Sequence, residues 1–194
     1  HGDEYIYYKT DHHWTSLGAS FAFEALADTM ALPAKQMKYS RFTAAGGFYG
    51  TLSSKTGLMR TGDTVELFVP ETDVTYYVQA PDTGEKTGSI YRTEFLDTKD
   101  KYAVFFGGNA PLTVMRTTAE TGRRLIVFKD SYANAMMQFL WPYFEEIVLV
   151  DARYFYEDLA PVLRQYAVTD ALFLYNADTF WGDTSLADLL LQHF

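Results

Sequence analysis

The sequence predicts an α/β protein with a mainly parallel sheet and a small antiparallel β insertion. Three observations lead there. First, after Thr121-Gly122 strand-length apolar runs alternate with helical stretches: Arg124 to Phe128, Glu146 to Asp151 and Asp170 to Tyr175 are interleaved with Ala133 to Leu140 and Tyr156 to Tyr166. That alternation implies right-handed crossovers and parallel strands. Second, residues 64–117 break into short β-rich pieces separated by turn signals. Third, 194 residues suit a single domain. We therefore expect one domain over residues 1–194, with about 61–120 inserted as a β-rich lobe.

Taken in order, Glu4 to Lys9 is aromatic and β-branched and predicts a short strand. It delivers Asp11-His12-His13-Trp14. Thr15 can cap a helix from Ser16 to about Met30, in which Leu17, Phe21, Ala25, Leu26 and Met30 fall near helical spacing while Glu24 and Asp28 mark a solvated face. Pro33 ends that helix. Residues 44–57 hold several glycines and hydroxyl side chains, which suits either a shaped loop bordering a site or a plain connection. The insertion contributes strand-like pieces at Val65 to Val69, Val74 to Val78, Ser89 to Phe95 and Tyr102 to Phe106, and Pro81-Asp82-Thr83-Gly84 predicts a hairpin turn. Gly107-Gly108-Asn109-Ala110-Pro111 closes the last piece, either as a tight turn or as glycines that let backbone N–H groups approach a ligand.

Composition narrows the function. A formal net charge of −9 argues against nucleic-acid partners, which require a basic face. The absence of cysteine excludes a thiolate nucleophile, a cysteine metal site and a disulfide framework. The longest apolar runs are strand-length, so this segment predicts no membrane insertion. The chain begins a few residues before its strongest motif, and an upstream part carrying a signal or anchor is expected.

Chemistry concentrates at predicted strand ends. Asp11 two residues before His13 is the minimum apparatus for a general base, because a carboxylate fixes the ring's tautomer and stabilises the imidazolium. It can equally be a capping Asp beside a space-filling His. Ser131 follows a buried strand and precedes a helix, where backbone N–H groups can stabilise an oxyanion. It can instead be an N-cap. Asn176, at the end of the third strand, can donate its amide to that oxyanion or simply make a turn. Strand ends on one side of a parallel sheet share a crevice, so Asp11, His13, Ser131 and Asn176 can converge. A metal on Asp11, His12 and His13 is the weaker alternative, because adjacent residues of an extended segment face opposite ways. No metal and no cofactor are expected.

Thr10-Asp11-His12-His13-Trp14-Thr15, followed by Leu17-Gly18-Ala19, resembles the signature of the bacterial DHHW protein family. It is also similar to the Asp-x-His-Trp motif of alginate O-acetyltransferase proteins, members of the SGNH hydrolase-like superfamily in which the Asp-His block precedes the serine block. The order here is the same. The resemblance implies a three-layer α/β/α fold of the SGNH hydrolase type, with Ser131 in Lys-Asp-Ser-Tyr as nucleophile, His13 as general base and Asp11 as the residue that orients it. Asn176 is similar to the superfamily's oxyanion asparagine, although the Gly-x-Asn-Asp pattern around it is absent. Lys129 stands where a glycine is usual, and no glycine block follows the second strand, where Asp151-Ala152-Arg153 stands. Asn109 and the Ser131 backbone N–H are therefore further candidate oxyanion donors.

The activity so implied is serine-dependent O-acetyl transfer, or acetyl-ester hydrolysis, on a cell-surface or secreted polysaccharide. Arg153 can help bind an anionic glycan or form a structural ion pair. The expected location is extracytoplasmic, with a membrane-bound O-acyltransferase as the partner that donates acetyl. The alternative is a catalytically weak or inactive carbohydrate-binding or scaffold domain of a polysaccharide-modification system.

Overall fold

The computed structural model describes residues 3–59 and 61–191. It divides into two compact units, which are interleaved along the chain. The first comprises His1–Asp73, Ile90–Gly108 and Asn134–Leu140; the second comprises Val74–Ser89, Asn109–Ala133 and Trp141–Phe194.

In the first unit, helix α1 (Ser16–Thr29) starts as the sequence predicts, with the Thr15 hydroxyl accepting the Gly18 N–H. It stops at Met30, before Pro33, and the chain turns through Ala31 in the left-handed region at φ 53°. Gly18 has no room for a side chain: a Cβ there would lie 2.1 Å from the Ile6 carbonyl oxygen. Strands β1 (Tyr39–Phe48) and β2 (Asp63–Pro70) form an antiparallel pair with two register irregularities, at Thr43/Ala45 and Ala45/Phe48. Between them lies the short helix α2 (Thr51–Thr56). The stretch 44–57 is thus a strand end and a helix. The predicted strand from Glu4 to Lys9 reduces to a single bridge between Tyr7 and Trp14.

Ser89 to Phe95 and Tyr102 to Phe106 also depart from expectation. They share one bridge, Tyr91 to Phe105, and otherwise form 3-10 turns at Thr93–Asp97 and Lys101–Val104. Their β-branched and aromatic residues are there to be buried: Ile90, Val104 and Phe105 are wholly inaccessible. Strand-like composition reports fit to a half-buried surface, and here other packing supplies it.

The second unit is a six-stranded sheet in the order β4-β3-β5-β7-β6-β8, built from β3 (Tyr76–Gln79), β4 (Lys86–Thr87), β5 (Leu112–Thr117), β6 (Arg124–Lys129), β7 (Glu146–Val150) and β8 (Asp170–Leu174). The sheet is mixed, which corrects the mainly parallel expectation. β6 is parallel to β7 and to β8, while β5 runs antiparallel to β7 and β3 antiparallel to both β5 and β4. β5 is the strand that the pattern does not announce: Leu-Thr-Val-Met-Arg-Thr lies within the expected β-rich insertion but in none of its strand-like pieces. Pro81 to Gly84 makes the β3–β4 connection as predicted, with the Gly84 N–H on the Ala80 carbonyl.

Val114, Ile126, Phe128, Val148 and Val150 form one side of the sheet's core, which is covered by Leu159, Val162 and Tyr166 of α4 (Leu159–Tyr166) and Leu189 of α6 (Ser185–Leu191). Asp158 caps α4 by accepting the Ala160 N–H, so the helix starts later than Tyr156. Helix α3 (Tyr132–Leu140) follows β6, and α5 (Ala177–Gly182) follows β8. No helix among the described residues is long and apolar enough to cross a membrane.

Candidate functional site

The Asp-His-His-Trp segment is an irregular bend held from outside. The buried carboxylate of Asp63, at the start of β2, accepts the Lys9 N–H at 3.0 Å, the Thr10 N–H at 2.7 Å, the Thr10 hydroxyl at 2.5 Å and the Tyr5 hydroxyl. The Thr10 carbonyl in turn accepts the Leu52 and Ser53 N–H groups, both at 3.0 Å. The first amides of α2 are therefore satisfied by the motif segment rather than by water.

Asp11 completes that helix start. Its Oδ2 accepts the Thr51 N–H at 2.8 Å and the Thr51 hydroxyl at 3.0 Å, while its Oδ1 accepts the His13 backbone N–H at 3.1 Å and bonds His13 Nδ1 at 2.5 Å. Burial by itself pushes the Asp11 carboxyl up. The His12 and His13 groups and the Thr51 N–H outweigh it, holding the group well below the usual carboxylate range. Asp11 is thus an ionised acceptor, which requires His13 to carry its proton on Nδ1 and leaves the Nε2 lone pair to act as base. The Tyr102 ring stacks on His13 at 3.7 Å with an interplanar angle of 9°, and the His12 ring lies 3.9 Å away. Rings that close cannot share one face, so His13 sits between them.

His12 therefore does not turn away from His13. The segment is bent instead of extended, and period-two alternation does not apply. His12 is exposed, with Nδ1 2.7 Å from the Thr51 hydroxyl. Because that hydroxyl donates to Asp11, His12 Nδ1 carries the proton toward Thr51. Asp11, His12 and His13 each offer a ligand atom within 4.8 Å of the others. Both Nδ1 atoms already serve Asp11 and Thr51, so an ion bound through them would compete with the dyad.

Gly50 is needed for this arrangement. A Cβ there would fall 2.3 Å from both Cβ and Oδ2 of Asp11. Gly50→Ala is expected to destabilise the protein by roughly 1–3 kcal/mol, the usual scale of overpacking. It should also flatten the acid dependence of the fold, because a carboxylate pushed off Thr51 titrates closer to its unfolded counterpart. Thermal melts of both proteins at neutral and acid pH check this.

In the second unit, Ser131 lies two residues past the end of β6 and directly precedes α3. Its neighbour Asp130 is wholly buried and anchors the turn: Oδ1 accepts the Tyr132 N–H at 2.9 Å, and Oδ2 accepts the Asn176 N–H at 2.9 Å and the Asn176 side-chain amide at 2.5 Å. Asn176 is the cap of α5, accepting the Thr179 N–H, and its amide also donates to the Thr179 hydroxyl at 2.8 Å. Both of its amide protons thus have partners. Asn109, exposed on the approach to β5, accepts a 3.0 Å hydrogen bond from the buried Lys129 ammonium through its Oδ1. Arg153 forms a two-pronged pair with the buried Asp151 at 2.8 and 2.6 Å, and this pairing holds its guanidinium above its ordinary range.

The structure brings Asp11 together with His13, and Asn176 together with the turn that carries Ser131. Sequence reasoning missed Thr51, Tyr102, Asp63 and Asp130. Only Asp130, beside the serine in Lys-Asp-Ser-Tyr, carried a local signal.

A family model for the DHHW protein matches residues 1–150. Among solved structures, a DHHW family protein from Eubacterium siraeum has a TM-score of 0.79 at 31% identity, covering 95% of this chain and 63% of that one. Bacillus cereus PatB1 gives 0.73 at 21% identity, covering 93% of this chain and 65% of that one. PatB1 with a sulfonyl adduct gives 0.72 at 22%, with 93% and 64% coverage. The PatB1 likeness is one of fold. This chain spans just under two thirds of the length of each. Comparison with curated proteins finds no match. With its motif inside the matched span and most of its length covered, the chain belongs to the DHHW protein family.

Proposed function

We propose that the chain is a serine-dependent acyl-transfer enzyme, an O-acetyltransferase or acetylesterase acting on a cell-surface or secreted polysaccharide outside the cytoplasm. The observation that supports it most is the buried dyad. A carboxylate with four donors on it accepts the Nδ1 proton and the backbone N–H of His13, which supports Nε2 as the nitrogen that would take a proton.

In the reaction, His13 Nε2 takes the proton of the Ser131 hydroxyl as Oγ attacks the acetyl carbonyl carbon. The tetrahedral oxyanion collapses, and the leaving alcohol receives the proton from His13. A sugar hydroxyl or water, deprotonated by the same nitrogen, then attacks the acyl-serine and restores Ser131. A sugar acceptor gives a transferase and water an esterase. The family resemblance suggests a membrane-bound O-acyltransferase as acetyl source. Asp11 stays ionised throughout and stabilises the imidazolium.

The reading requires Nε2 of His13 to reach the Ser131 hydroxyl, and covalent chemistry tests it. A sulfonyl fluoride, the reagent class suggested by the PatB1 adduct, should modify Ser131, and mass spectrometry of the digest should locate the label there. Labelling and turnover of a soluble acetyl ester should both disappear in Ser131→Ala. In His13→Ala they should fall by at least about 10³-fold. A wild-type protein that neither labels nor turns over would favour the binding-only alternative. One observation leans that way: Asn176, the expected oxyanion donor, spends both amide protons on Asp130 and Thr179.

A further inference from the structure

We propose that the cleft bounded by Pro81, Asp82, Pro111, Tyr154, Tyr156 and Glu157 is a glycan subsite that takes an uncharged sugar ring and rejects a uronate. This rests on the polysaccharide substrate proposed above and names the kind of sugar that binds beside the reacting serine.

The cleft has a fixed frame. It holds about 280 Å³ and lies wholly within the second unit, between the β3–β4 turn, the start of β5 and the segment after β7. The Tyr154 and Phe155 N–H groups both donate to the Asp151 carbonyl at 3.0 Å, and the Asp151 N–H donates to the Pro111 carbonyl at 3.1 Å. Phe155 is buried in the core of the sheet, which leaves its two neighbours outside: Tyr154 is 47% and Tyr156 86% exposed. Neither ring is loose. The Arg153 guanidinium lies 5.3 Å from the Tyr154 ring centroid, and the Tyr156 hydroxyl donates to the Arg153 carbonyl at 2.9 Å. Rings fixed in water beside two prolines form an apolar wall, the mark of a binding surface.

Charge selects the occupant. A pyranose offers an apolar C–H face to an aromatic ring and a rim of hydroxyls that donate to carboxylates. Asp82 and Glu157 supply those acceptors; both are exposed, and neither pairs with a cation among the described residues. Asp82 Oδ1 accepts the Thr83 N–H at 2.9 Å, which fixes this carboxylate at the turn. Arg153 is committed to Asp151 through two bonds at 2.8 and 2.6 Å, so it backs Tyr154 and is not a receptor for an anionic sugar. A uronate would meet two like charges and an arginine already neutralised.

Topology sets the cleft beside the serine turn. β6 and β7 are parallel, with Phe128 opposite Val150, and both chains leave the sheet at the same edge. The Tyr154 segment therefore emerges one strand, about 5 Å, from the turn that carries Ser131.

Amide NMR titrations of the Ser131→Ala protein test this, with cellotetraose, chitotetraose and mannotetraose as uncharged probes and tetragalacturonate as the anionic one. At least one uncharged probe should shift the Asp82, Leu112 and Tyr154 amides with a Kd of about 1 mM, and tetragalacturonate should bind at least about 10-fold more weakly. Tyr154→Ala and Tyr156→Ala should each weaken the uncharged probe about 5-fold or more. Their melting temperatures should stay close to that of the parent, because both rings are exposed. Asp82→Asn combined with Glu157→Gln should bring the two probe classes to within about 3-fold of each other.

Three results overturn the proposal: no shift in the cleft with any uncharged probe at about 20 mM, an unchanged Kd in both tyrosine variants, or tetragalacturonate binding as tightly as the best uncharged probe. The acyl-transfer role is read separately, from Ser131-dependent turnover of 4-nitrophenyl acetate. Glycan binding without turnover leaves the cleft standing on a binding-only protein, and turnover without glycan binding removes the cleft alone.

Discussion

Asp11→Asn should lower kcat/KM for an acetyl ester by roughly 10⁴-fold, the scale seen when a triad carboxylate becomes an amide, while the protein stays folded. The reason is donor arithmetic. Oδ1 of Asp11 faces two donors, the backbone N–H and Nδ1–H of His13, and Oδ2 faces two more from Thr51. An amide has one oxygen for four donors. If the oxygen faces Thr51, the NH₂ meets His13, whose Nδ1 must become an acceptor. The ring proton then moves to Nε2 and the base is lost. If the oxygen faces His13, the Thr51 N–H at the start of α2 loses its partner. Imidazole nitrogen NMR checks this independently of turnover: Nδ1–H in the wild type and Nε2–H in the variant is expected. Activity within about threefold of wild type, with the Nδ1–H tautomer kept, would sink the role given to Asp11.

The same substitution has a pH consequence. The folded Asp11 carboxyl titrates below its unfolded counterpart, so the unfolded chain takes up the proton first as the pH falls. Its stabilisation is present above about pH 4, the ordinary carboxylate value, and fades as the pH drops toward the folded one. Asp11→Asn lacks this term. Its melting temperature should therefore fall less steeply with acid than that of the wild type.

Local signals carried some of this architecture to the page and others did not. The Thr15 cap, the span of α1 and the apolar runs of β6, β7 and β8 depend on residues adjacent in sequence or on a fixed period, and they appear where expected, although the face α1 buries is Ser16, Ala19, Phe23 and Ala27 and not that of Leu17, Phe21 and Ala25. The Asp11–His13 bond spans two residues and was legible for the same reason. β5 was not, because Leu-Thr-Val-Met-Arg-Thr carries an ordinary polar–apolar mixture whose strand state comes from pairing with β3 and β7. Without β5 only the parallel β6, β7 and β8 stand out in the sequence, and they alone imply a mainly parallel sheet. Thr51 and Asp63 act on the motif from 40 and more positions away, and no spacing rule links them to it. Tyr102 stacks on His13 from a segment whose aromatic composition suggested a strand. Its role follows from the shape of the site, which local sequence does not encode.

Asp63→Ala is expected to cost about 3–5 kcal/mol, the largest stability effect of any single side chain near the motif. A 3%-exposed carboxylate accepts two backbone N–H groups and two hydroxyls, all from residues 5–10. Removing it leaves the Lys9 and Thr10 amides without this acceptor, and at the buried Thr10, where water has little access, the unmet donor carries its full desolvation cost. The effect should not stop there. Thr10 is the hinge between two sets of bonds: its hydroxyl accepts the Gly50 N–H at 3.1 Å and its carbonyl holds the first amides of α2, which in turn place Thr51 on Asp11. Releasing Thr10 therefore loosens the acceptor side of the dyad without touching it. At the usual scaling for a chain of this size the melting temperature should drop by roughly 6–20 °C. Hydrogen exchange should accelerate at Leu52 and Ser53 before the six-stranded sheet opens. Asp63→Asn separates charge from shape, since it keeps one acceptor for the Thr10 N–H but must turn an NH₂ toward another donor, and it should fall between wild type and alanine. If alanine melts within about 2 °C of wild type, or exchange at Leu52 and Ser53 is unchanged, the motif segment is held by its own bend and not by Asp63.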